Sequence, residues 1–347
     1  MPKFKSRKIY LIREKEIFYG GAEKYLSRLI KYLGDHNYDY EVIYSPFSPK
    51  LPSWLRVIFF NFYLCLIKKN KFYLSLERIA CPDIYRAGDG VHKVFLEKLN
   101  KKKINPLHYI YLRYERKCFE KSKLIIANSE MIKQEIIDHY SINKEKIKVI
   151  YNGFDGYDVV DKSKLIKVRE AFKIHTTKKI FLFVGSGFKR KGLIDFLEIF
   201  SKLDPSTTHA IIIGSDKNEN SYKKLASDLG IKNIVFLGKR RDMEIFYELS
   251  DFVMLPTYYD PFANIVLEAM ISKNIVITTR QNGAHEILNN DLVMDSPGDR
   301  SIIKKIENII SSNEEINRIK TENYNLAREF TVELNARKTF ESIMETC

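Results

Sequence analysis

The chain has 347 residues and a formal net charge of +14, a length that suits two domains of roughly 150–200 residues better than one core. Hydrophobic residues make up 45% and charged residues 29%, which is typical of a folded soluble protein and excludes a disordered or collagen-like chain. No apolar run reaches the roughly 18–20 residues that cross a bilayer, and the four scattered cysteines, without C-x-x-C spacing, argue against a disulfide framework or a zinc site.

Alternating strands and helices are predicted for the first half of the chain. We expect strands at residues 8–12, 40–44, 72–76, 124–127 and 147–150. A turn at Gly20-Gly21 opens a helix over 22–33, and Ser129 is a natural cap for a helix over 130–140. This order predicts a parallel sheet with helices on both faces. A turn at Asn152-Gly153 and a hinge over 156–162 end this first domain at residue 155.

The second half of the chain, residues 156–330, repeats the scheme. We expect its strands and helices at 180–184, 193–203, 210–213, 222–229, 234–237, 243–249, 252–255, 262–272 and 275–278. The predicted fold class is therefore α/β, with two doubly wound, Rossmann-like domains. Such domains bind ligands where the carboxyl ends of the strands converge, so we expect the ligand in a cleft between them.

Excess positive charge is concentrated in the first domain. Residues 1–155 hold 30 lysines and arginines against 17 aspartates and glutamates, a net charge of +13, whereas residues 156–347 are almost neutral. A one-sided positive field attracts an extended polyanion, such as a nucleic acid, an anionic membrane surface or a phosphorylated glycolipid. A lysine-rich genome is the alternative explanation, and the nearly neutral second half weighs against it.

Two apolar stretches lie in this basic domain. Residues 93–123 mix basic with aromatic and aliphatic side chains, as expected of amphipathic helices on a membrane, or of surface helices whose apolar faces complete the core. Residues 54–67 are apolar almost all round, which predicts a helix buried in the core rather than one at a membrane. The start of the chain lacks the apolar core and cleavage site of a signal peptide, so we expect a cytosolic protein.

Two glycine-rich segments can meet an anionic ligand. Gly20-Gly21-Ala22-Glu23 follows a strand and opens a helix, where backbone amides and the helix dipole favour a phosphate, although any sharp strand-to-helix turn uses glycine. Residues 185–192, GSGFKRKG, place three cations directly after a strand, where they face either an anionic ligand or only solvent. Neither segment matches the dinucleotide-binding or the P-loop motif.

Residues 260–270, DPFANIVLEAM, form the most specific segment. Asp260 is a natural helix N-cap with Pro261 at the first helical position, which explains both residues without a ligand. Glu268 lies about two turns further on among apolar residues, and a carboxylate in such a place needs a partner that ligand hydroxyls can supply. The two carboxylates can grip an extended polyol, such as a sugar nucleotide, at two points.

This segment resembles the E-x7-E motif of the retaining GT-B glycosyltransferases of family 4, with aspartate for the first glutamate. GGAE at 20–23, the arginine-lysine-glycine of 185–192 and the NGFD turn at 152–155 match the same family in order and spacing. The resemblance covers essentially the whole chain and is closest to the lipopolysaccharide core glucosyltransferases of the WaaG type, through VGSGFKRKG and CPDIYRAGDGVHKVFLEK. It implies a GT-B architecture in which the last helix, 331–347, completes the first domain.

The resemblance also implies where a nucleotide-sugar donor binds. Arg190 and Lys191 would neutralise its diphosphate, helped by backbone amides at Gly20 and Gly21 and at four residues of the 260–270 segment, Phe262, Ala263, Asn264 and Ile265. The donor would be UDP-linked and would lie on the second domain.

The remaining residues implied by the resemblance hold the sugars and the base. Glu268 would bind the ribose hydroxyls, Gly238 and Lys239 would line the base pocket, and Asp260 would hold hydroxyls of the donor sugar. Asp89 matches the acidic residue that lies near the reacting carbons in this family. Alternatively, it is only the aspartate of an Asp-Gly turn. The sequence departs from the family at two further positions. Ala263 replaces a common glycine, and Ser186 stands where many members have an additional arginine. These departures leave the identity of the sugar open.

The chemistry implied by the family is metal-independent transfer with retained configuration, and no D-x-D triplet occurs in the chain. We expect a hexosyltransferase that needs no cofactor and no metal. It would move a hexose from a UDP-sugar to a lipopolysaccharide core or related glycolipid at the cytoplasmic membrane face, and its basic domain would contact anionic lipid. Transfer to a polyprenyl-diphosphate-linked glycan, a nucleic-acid-binding module and a sugar-nucleotide epimerase are the alternatives; recognised nucleic-acid-binding signatures are absent.

Overall fold

The computed structural model describes residues 8–15, 21–100 and 105–347. The chain divides into two compact units, one made of the residues up to Gly153 together with Val332–Cys347, and the other of Phe154–Thr331. The change of unit falls two residues before the expected domain end at 155, and the last helix belongs to the first unit. No helix in the described part of the chain is both long and apolar enough to cross a membrane.

The first unit is a parallel sheet with helices around it. Its strands are β1 (Ile9–Ile12), β2 (Tyr40–Ile43), β3 (Phe72–Ser75), β4 (Ile84–Ala87), β5 (Leu124–Ala127) and β6 (Ile147–Val149). Its helices are α1 (Gly21–Asp35), α2 (Ser53–Ile67), α3 (His92–Lys98), α4 (Pro106–Lys121), α5 (Glu130–Tyr140) and the final helix α14 (Val332–Thr346). The strand order is β2-β1-β3-β4-β5-β6, so the chain reverses its direction of winding between β1 and β3.

Amphipathic periodicity explains how α1 and α14 cover this sheet. Apolar side chains of α1 recur about every turn and are buried against the strands, namely Tyr25, Leu26, Leu29 and Leu33. Ile343 of α14 belongs to the same core cluster, and the hydroxyl groups of Tyr25 and Thr339 lie 3.1 Å apart. The C-terminal helix is therefore packed on the first unit.

Helix α2 corrects one expectation from the sequence. Phe60 and Leu64 are buried in a core cluster of the first unit, as predicted for a buried helix. Phe62 and Leu66, on the other side of the helix, are 71% and 67% exposed, so the prediction of a helix buried in the core holds for only one of its faces. An apolar face is buried only if another element packs on it, and composition alone does not reveal which faces are covered.

Cys65 and Cys81 form a disulfide, although the scattered spacing of the four cysteines argued against a disulfide framework. They are 16 residues apart, one in the last turn of α2 and the other shortly before β4, and their Cα atoms lie 5.9 Å apart. The tertiary packing of α2 beside the β3–β4 connection brings them together. Cys118 is a buried free thiol.

The second unit has the same architecture. Its strands are β7 (Lys179–Val184), β8 (Thr208–Ile213), β9 (Ile234–Phe236), β10 (Phe252–Leu255), β11 (Ile275–Thr279) and β12 (Val293–Met294). Its helices are α6 (Lys162–Ala171), α7 (Phe188–Lys191), α8 (Leu193–Phe200), α9 (Glu219–Asp228), α10 (Met243–Leu249), α11 (Asn264–Ile271), α12 (Ile302–Ile310) and α13 (Asn313–Ala327). The parallel strand order β12-β11-β10-β7-β8-β9 reverses between β7 and β10. Both units are thus doubly wound α/β sheets, as predicted.

Candidate active site

The loops that follow β7 and β10 meet where the second sheet reverses its order, the usual ligand position in this kind of sheet. Gly192, between α7 and α8, has a φ of +78°, and a Cβ atom there would lie 1.7 Å from the carbonyl oxygen of Pro256. Thr257 Oγ1 and the amide of Tyr258 each donate to the carbonyl oxygen of Arg190 at 2.9 Å. The basic loop is therefore fixed against the loop after β10.

Two cations share one carboxylate at this position. Lys191 Nζ and Arg190 Nη1 each donate to Oδ2 of Asp260 at 2.7 Å, and Arg190 Nη1 also donates to the carbonyl oxygen of Tyr259 at 3.0 Å. Lys191 and Asp260 are both buried. Burial alone would raise the pKa of the Asp260 carboxyl, but the charges of Lys191 and Arg190 outweigh it and hold that pKa below its ordinary value. Asp260 is therefore ionised at neutral pH.

The structure corrects the local interpretation of Asp260. Helix α11 begins at Asn264 with Ala263 as its N-cap, so Asp260 does not cap it and Pro261 does not open it. The backbone of Asp260 instead forms an isolated bridge with Asn282. Asn282 Oδ1 accepts hydrogen bonds from the amides of Ala263 at 3.0 Å and Ala284 at 3.1 Å. This buried asparagine, which the sequence analysis missed, holds the start of α11 in place.

Glu268 lies in α11 and is buried, as its apolar neighbours predicted. Its Oε2 accepts a hydrogen bond from the hydroxyl group of Tyr247 at 2.9 Å, a partner on α10. Burial, together with the negative charge of Glu268, raises the pKa of the Tyr247 phenol well above its usual value. The phenol therefore stays protonated and donates to the carboxylate.

The other predicted donor-binding residues of the second unit lie at the same sheet edge. Gly238 and Lys239 follow β9, and the carbonyl oxygen of Gly238 accepts from the amide of Gly214, after β8, at 2.8 Å. Asp216 Oδ2 accepts from the amide of Phe188, at the start of α7, at 2.8 Å. The loops after β7, β8 and β9 are thus tied together beside the paired cations.

Gly21 and Asp89 lie in the first unit, and Gly20 lies outside the described residues. Gly21 is the first residue of α1, and Asp89 is exposed in the turn that follows β4. Arg78 holds this turn by donating to the carbonyl oxygen of Gly90 at 2.9 Å and to Glu115 Oε2 at 2.9 Å. Asp89 is therefore presented at the carboxyl edge of the first sheet.

Glu77 is a candidate functional residue that the sequence analysis missed. It follows β3, and its Oε1 accepts from Arg13 Nη1 at 2.7 Å and from the amide of Glu14 at 3.1 Å. Burial raises the pKa of Glu77 to about 7, the charges of Asp89 and Glu14 add to this, and Arg13 opposes it. The sequence signal is a carboxylate directly after the strand-like run FYLSL, at the point where the first sheet reverses.

No group of three or more His, Cys, Asp or Glu side chains in the described ranges is arranged to hold a metal ion. The chemistry offered by the second unit is instead cationic and polar. Arg190 and Lys191 can neutralise an anion, while Asp260 and Glu268 can accept hydrogen bonds from hydroxyl groups.

Two doubly wound units with polar loops at their reversal points define the GT-B architecture, and solved structures agree. The crystal structure of WaaG, a glycosyltransferase involved in lipopolysaccharide biosynthesis, matches with a TM-score of 0.80 at 17% identity, covering 96% of this chain and 99% of that one. Anabaena Alr3699/HepE in complex with UDP and glucose matches with a TM-score of 0.73 at 19% identity, covering 98% and 100%. At such identities the likeness establishes the fold.

Two family models match this chain. "Glycosyl transferases group 1" matches residues 166–326, and "Glycosyltransferase Family 4" matches residues 69–156. The chain therefore belongs to the group 1 glycosyltransferases, with a family 4 N-terminal region, and the family resemblance predicted from its motifs is confirmed.

Curated relatives agree with this assignment. The lipopolysaccharide glucosyltransferase WaaG of Escherichia coli (strain K12) is 27% identical over 219 residues, 59% of this chain and 58% of the relative. The O-antigen chain mannosyltransferase RfbU of Salmonella typhimurium is 26% identical over 221 residues, 59% of each chain. The uncharacterized glycosyltransferase MJ1607 of Methanocaldococcus jannaschii is 27% identical over 175 residues, 48% of this chain and 45% of the relative. These matches span about half of the relatives' length.

Proposed function

We propose that this glycosyltransferase moves a hexose from a UDP-sugar to a lipopolysaccharide core or related glycolipid, with retention of configuration and without a metal ion. The names of the relatives support the acceptor class, since WaaG is a lipopolysaccharide glucosyltransferase. The complex of HepE with UDP and glucose supports the donor class.

The pairing of Arg190 and Lys191 on Asp260 is the observation that carries the proposal. When the anomeric bond breaks, negative charge develops on the diphosphate leaving group, and two cations held in advance stabilise that charge without reorganising. Their positions are set by the buried carboxylate of Asp260. Both cations bind its Oδ2, and its other oxygen, Oδ1, would accept a hydrogen bond from a hydroxyl group of the donor sugar.

Glu268 suits the ribose of the same nucleotide. Tyr247 donates a hydrogen bond to its Oε2, and the two oxygen atoms of a carboxylate can together accept several more. Because both Glu268 and Asp260 lie in the second unit, the donor would bind mainly there. The acceptor would be met by the first unit, whose net charge of +13 over residues 1–155 favours an anionic membrane surface at the cytoplasmic face.

A donor panel tests this proposal. Thermal unfolding would be followed with UDP-glucose, UDP-galactose, GDP-mannose and ADP-glucose, and any sugar nucleotide that stabilises the protein would be offered with lipopolysaccharide core acceptors. We expect selective stabilisation by one UDP-hexose, and an α-linked product from an α-linked donor by NMR. Asp260→Asn should abolish transfer, whereas Asp228→Asn, at an exposed position of α9, should not change it. An inverted product, or no response to any sugar nucleotide, would refute the proposal.

A further inference from the structure

The disulfide between Cys65 and Cys81 lies at the surface of the first unit. Cys65 is an exposed residue in the last turn of α2, and Cys81 is half-buried in residues 76–83, which we call the β3–β4 connection. Their Cα atoms lie 5.9 Å apart, a separation that a disulfide spans without backbone movement. Thiol–disulfide exchange requires a small thiol to reach one of the two sulfur atoms, and the exposed position of Cys65 provides that access.

Contacts that do not involve sulfur also hold the β3–β4 connection on α2. The buried Asn61 of α2 accepts a hydrogen bond from the amide of Ala80 at 2.7 Å and donates to the carbonyl oxygen of Arg78 at 3.4 Å. Lys68, the residue after α2, donates from Nζ to the carbonyl oxygen of Cys81 at 2.6 Å. These contacts would keep the two cysteines close together when the disulfide is open. The bond can therefore close again without refolding of the chain.

The β3–β4 connection leads to the carboxyl edge of the first sheet. Glu77 and Arg78 both belong to it, and Arg78 holds the turn of Asp89 by donating to the carbonyl oxygen of Gly90 at 2.9 Å. A covalent bond at Cys81 limits the movement of the connection, and opening that bond adds conformational freedom close to these residues. The redox state of the cysteine pair therefore bears on the edge of the first unit that would meet the acceptor under the proposed function.

We propose that Cys65 and Cys81 form a reversible redox site, which a small thiol and its disulfide open and close. The inference rests on the proposed function, because that function puts the enzyme at the cytoplasmic face, where small thiols keep most cysteines reduced and a disulfide is usually transient. It deepens that function by naming a regulation of the acceptor side. Closure stiffens the β3–β4 connection, and opening loosens it.

Closure is a two-step exchange with a small disulfide such as oxidised glutathione. The thiolate of Cys65 attacks one sulfur atom of that disulfide, and a mixed disulfide forms as one glutathione thiolate leaves. The thiolate of Cys81 then attacks the sulfur atom of Cys65 and releases the second glutathione thiolate. In total the two protein thiols lose two electrons and two protons, and one molecule of oxidised glutathione becomes two molecules of reduced glutathione. Opening is the reverse reaction.

A redox titration tests whether the site is reversible. The unmodified protein would be equilibrated in glutathione buffers from fully reduced to fully oxidised, alkylated, and analysed by mass spectrometry for the peptides of Cys65 and Cys81. We expect the disulfide to open in excess reduced glutathione and to close again in excess oxidised glutathione. The melting temperature should be lower by roughly 5–10 °C in the open form, because the bond links residues that are 16 apart in the chain. A bond that stays closed in excess reduced glutathione, or that never closes in excess oxidised glutathione, would overturn the proposal.

Hydrogen exchange locates the effect of the bond. Amides of the β3–β4 connection should exchange at least about threefold faster in the open form than in the closed form. Cys65→Ser should show the faster exchange in every glutathione buffer. Cys347→Ser changes a half-buried cysteine outside the disulfide, so it is the matched control and should respond to glutathione as the unmodified protein does. Equal exchange in the open and closed forms would contradict the proposed stiffening.

The failure of this inference and the failure of the proposed function are distinguishable. The titration and the exchange experiments contain neither a sugar nucleotide nor an acceptor. With lipopolysaccharide core as acceptor, opening the disulfide should raise KM for the acceptor at least about threefold. Stabilisation by the UDP-sugar should not change, because Asp260 and Glu268 lie in the second unit. If the disulfide opens and closes but no sugar nucleotide stabilises the protein, the proposed function is wrong. If transfer proceeds with the same acceptor KM in both forms, only the regulation is wrong.

Discussion

Lys191 Nζ lies 2.7 Å from Oδ2 of Asp260, although 69 residues separate them in the chain. They meet because β7 and β10 are neighbours in the second sheet, so the loops at their carboxyl ends share one edge. Both side chains are buried, and Arg190 donates to the same oxygen atom. A buried carboxylate that holds two cations ready for an anion is the central feature of the candidate active site.

Lys191 is the first residue to test. Lys191→Ala removes one of the two cations that would face the leaving group under the proposed function, so we expect kcat for transfer to fall about 10²- to 10³-fold. Stability should fall by about 1–3 kcal/mol, because Asp260 loses a buried partner. Lys189→Ala, an exposed lysine of the same short helix, is the control and should change neither quantity. Steady-state kinetics and urea unfolding measure the two effects, and equal kcat values for both variants would contradict the assignment.

Glu268 and Tyr247 separate ligand binding from structural support. Glu268→Gln removes the negative charge that would hold ribose hydroxyl groups, and we expect KM for the UDP-sugar to rise by about tenfold or more. Tyr247→Phe removes one hydrogen bond to Glu268 and leaves the carboxylate in place, so it should cost about 1 kcal/mol of stability with a smaller change in KM. Titration calorimetry with UDP gives the affinities. If Tyr247→Phe weakens UDP binding as much as Glu268→Gln does, the Glu268 carboxylate supports UDP binding only through its hydrogen bond with Tyr247, which would contradict a direct contact with the ribose.

Gly192 tests the junction of the two loops. A side chain at this position would meet the Pro256 carbonyl oxygen at 1.7 Å and would also have to adopt a φ of +78°, so Gly192→Ala should destabilise the protein by about 3 kcal/mol or more. Gly230 has a φ of +72°, and a Cβ atom there would have no neighbour within 4 Å, so Gly230→Ala should cost only the left-handed strain of about 1–2 kcal/mol. Urea unfolding measures the stability of both variants. Similar losses of stability would show that the contact between Gly192 and the Pro256 carbonyl oxygen is not tight.

Glu77 predicts a pH dependence of stability. Its pKa is raised from 4.5 to about 7 in the folded protein, so between these pH values the folded state holds a proton that the unfolded chain releases. Stability therefore falls as the pH rises from about 4.5 to about 7. Glu77→Gln should remove this decline, whereas the exposed Glu97→Gln should retain it. Free energies of unfolding at pH 5, 6, 7 and 8 test this, and parallel curves for all three proteins would disprove it.

Local sequence pattern predicted most secondary structure. Helices over 130–140 and 243–249 and strands over 124–127 and 252–255 have the predicted ends, and Ser129 caps α5 by accepting from the amide of Ile132. Strand β4 was missed, because the buried Arg86 interrupts its apolar pattern. Its guanidinium group stacks on Tyr25 and donates to Asn152, contacts that no local pattern reveals.

The sequence by itself determined the fold class, the family and the two motif segments of the second half, residues 185–192 and 260–270. These depend on periodicity and on spacing along the chain. Only the tertiary structure decided what each motif residue does. It made Asp260 the partner of Lys191 rather than a helix cap, placed Glu77 beside Arg13, joined Cys65 to Cys81, and left one face of α2 exposed. Each of these relations joins residues distant in sequence or depends on which neighbour covers a surface, and both are set by how the elements pack.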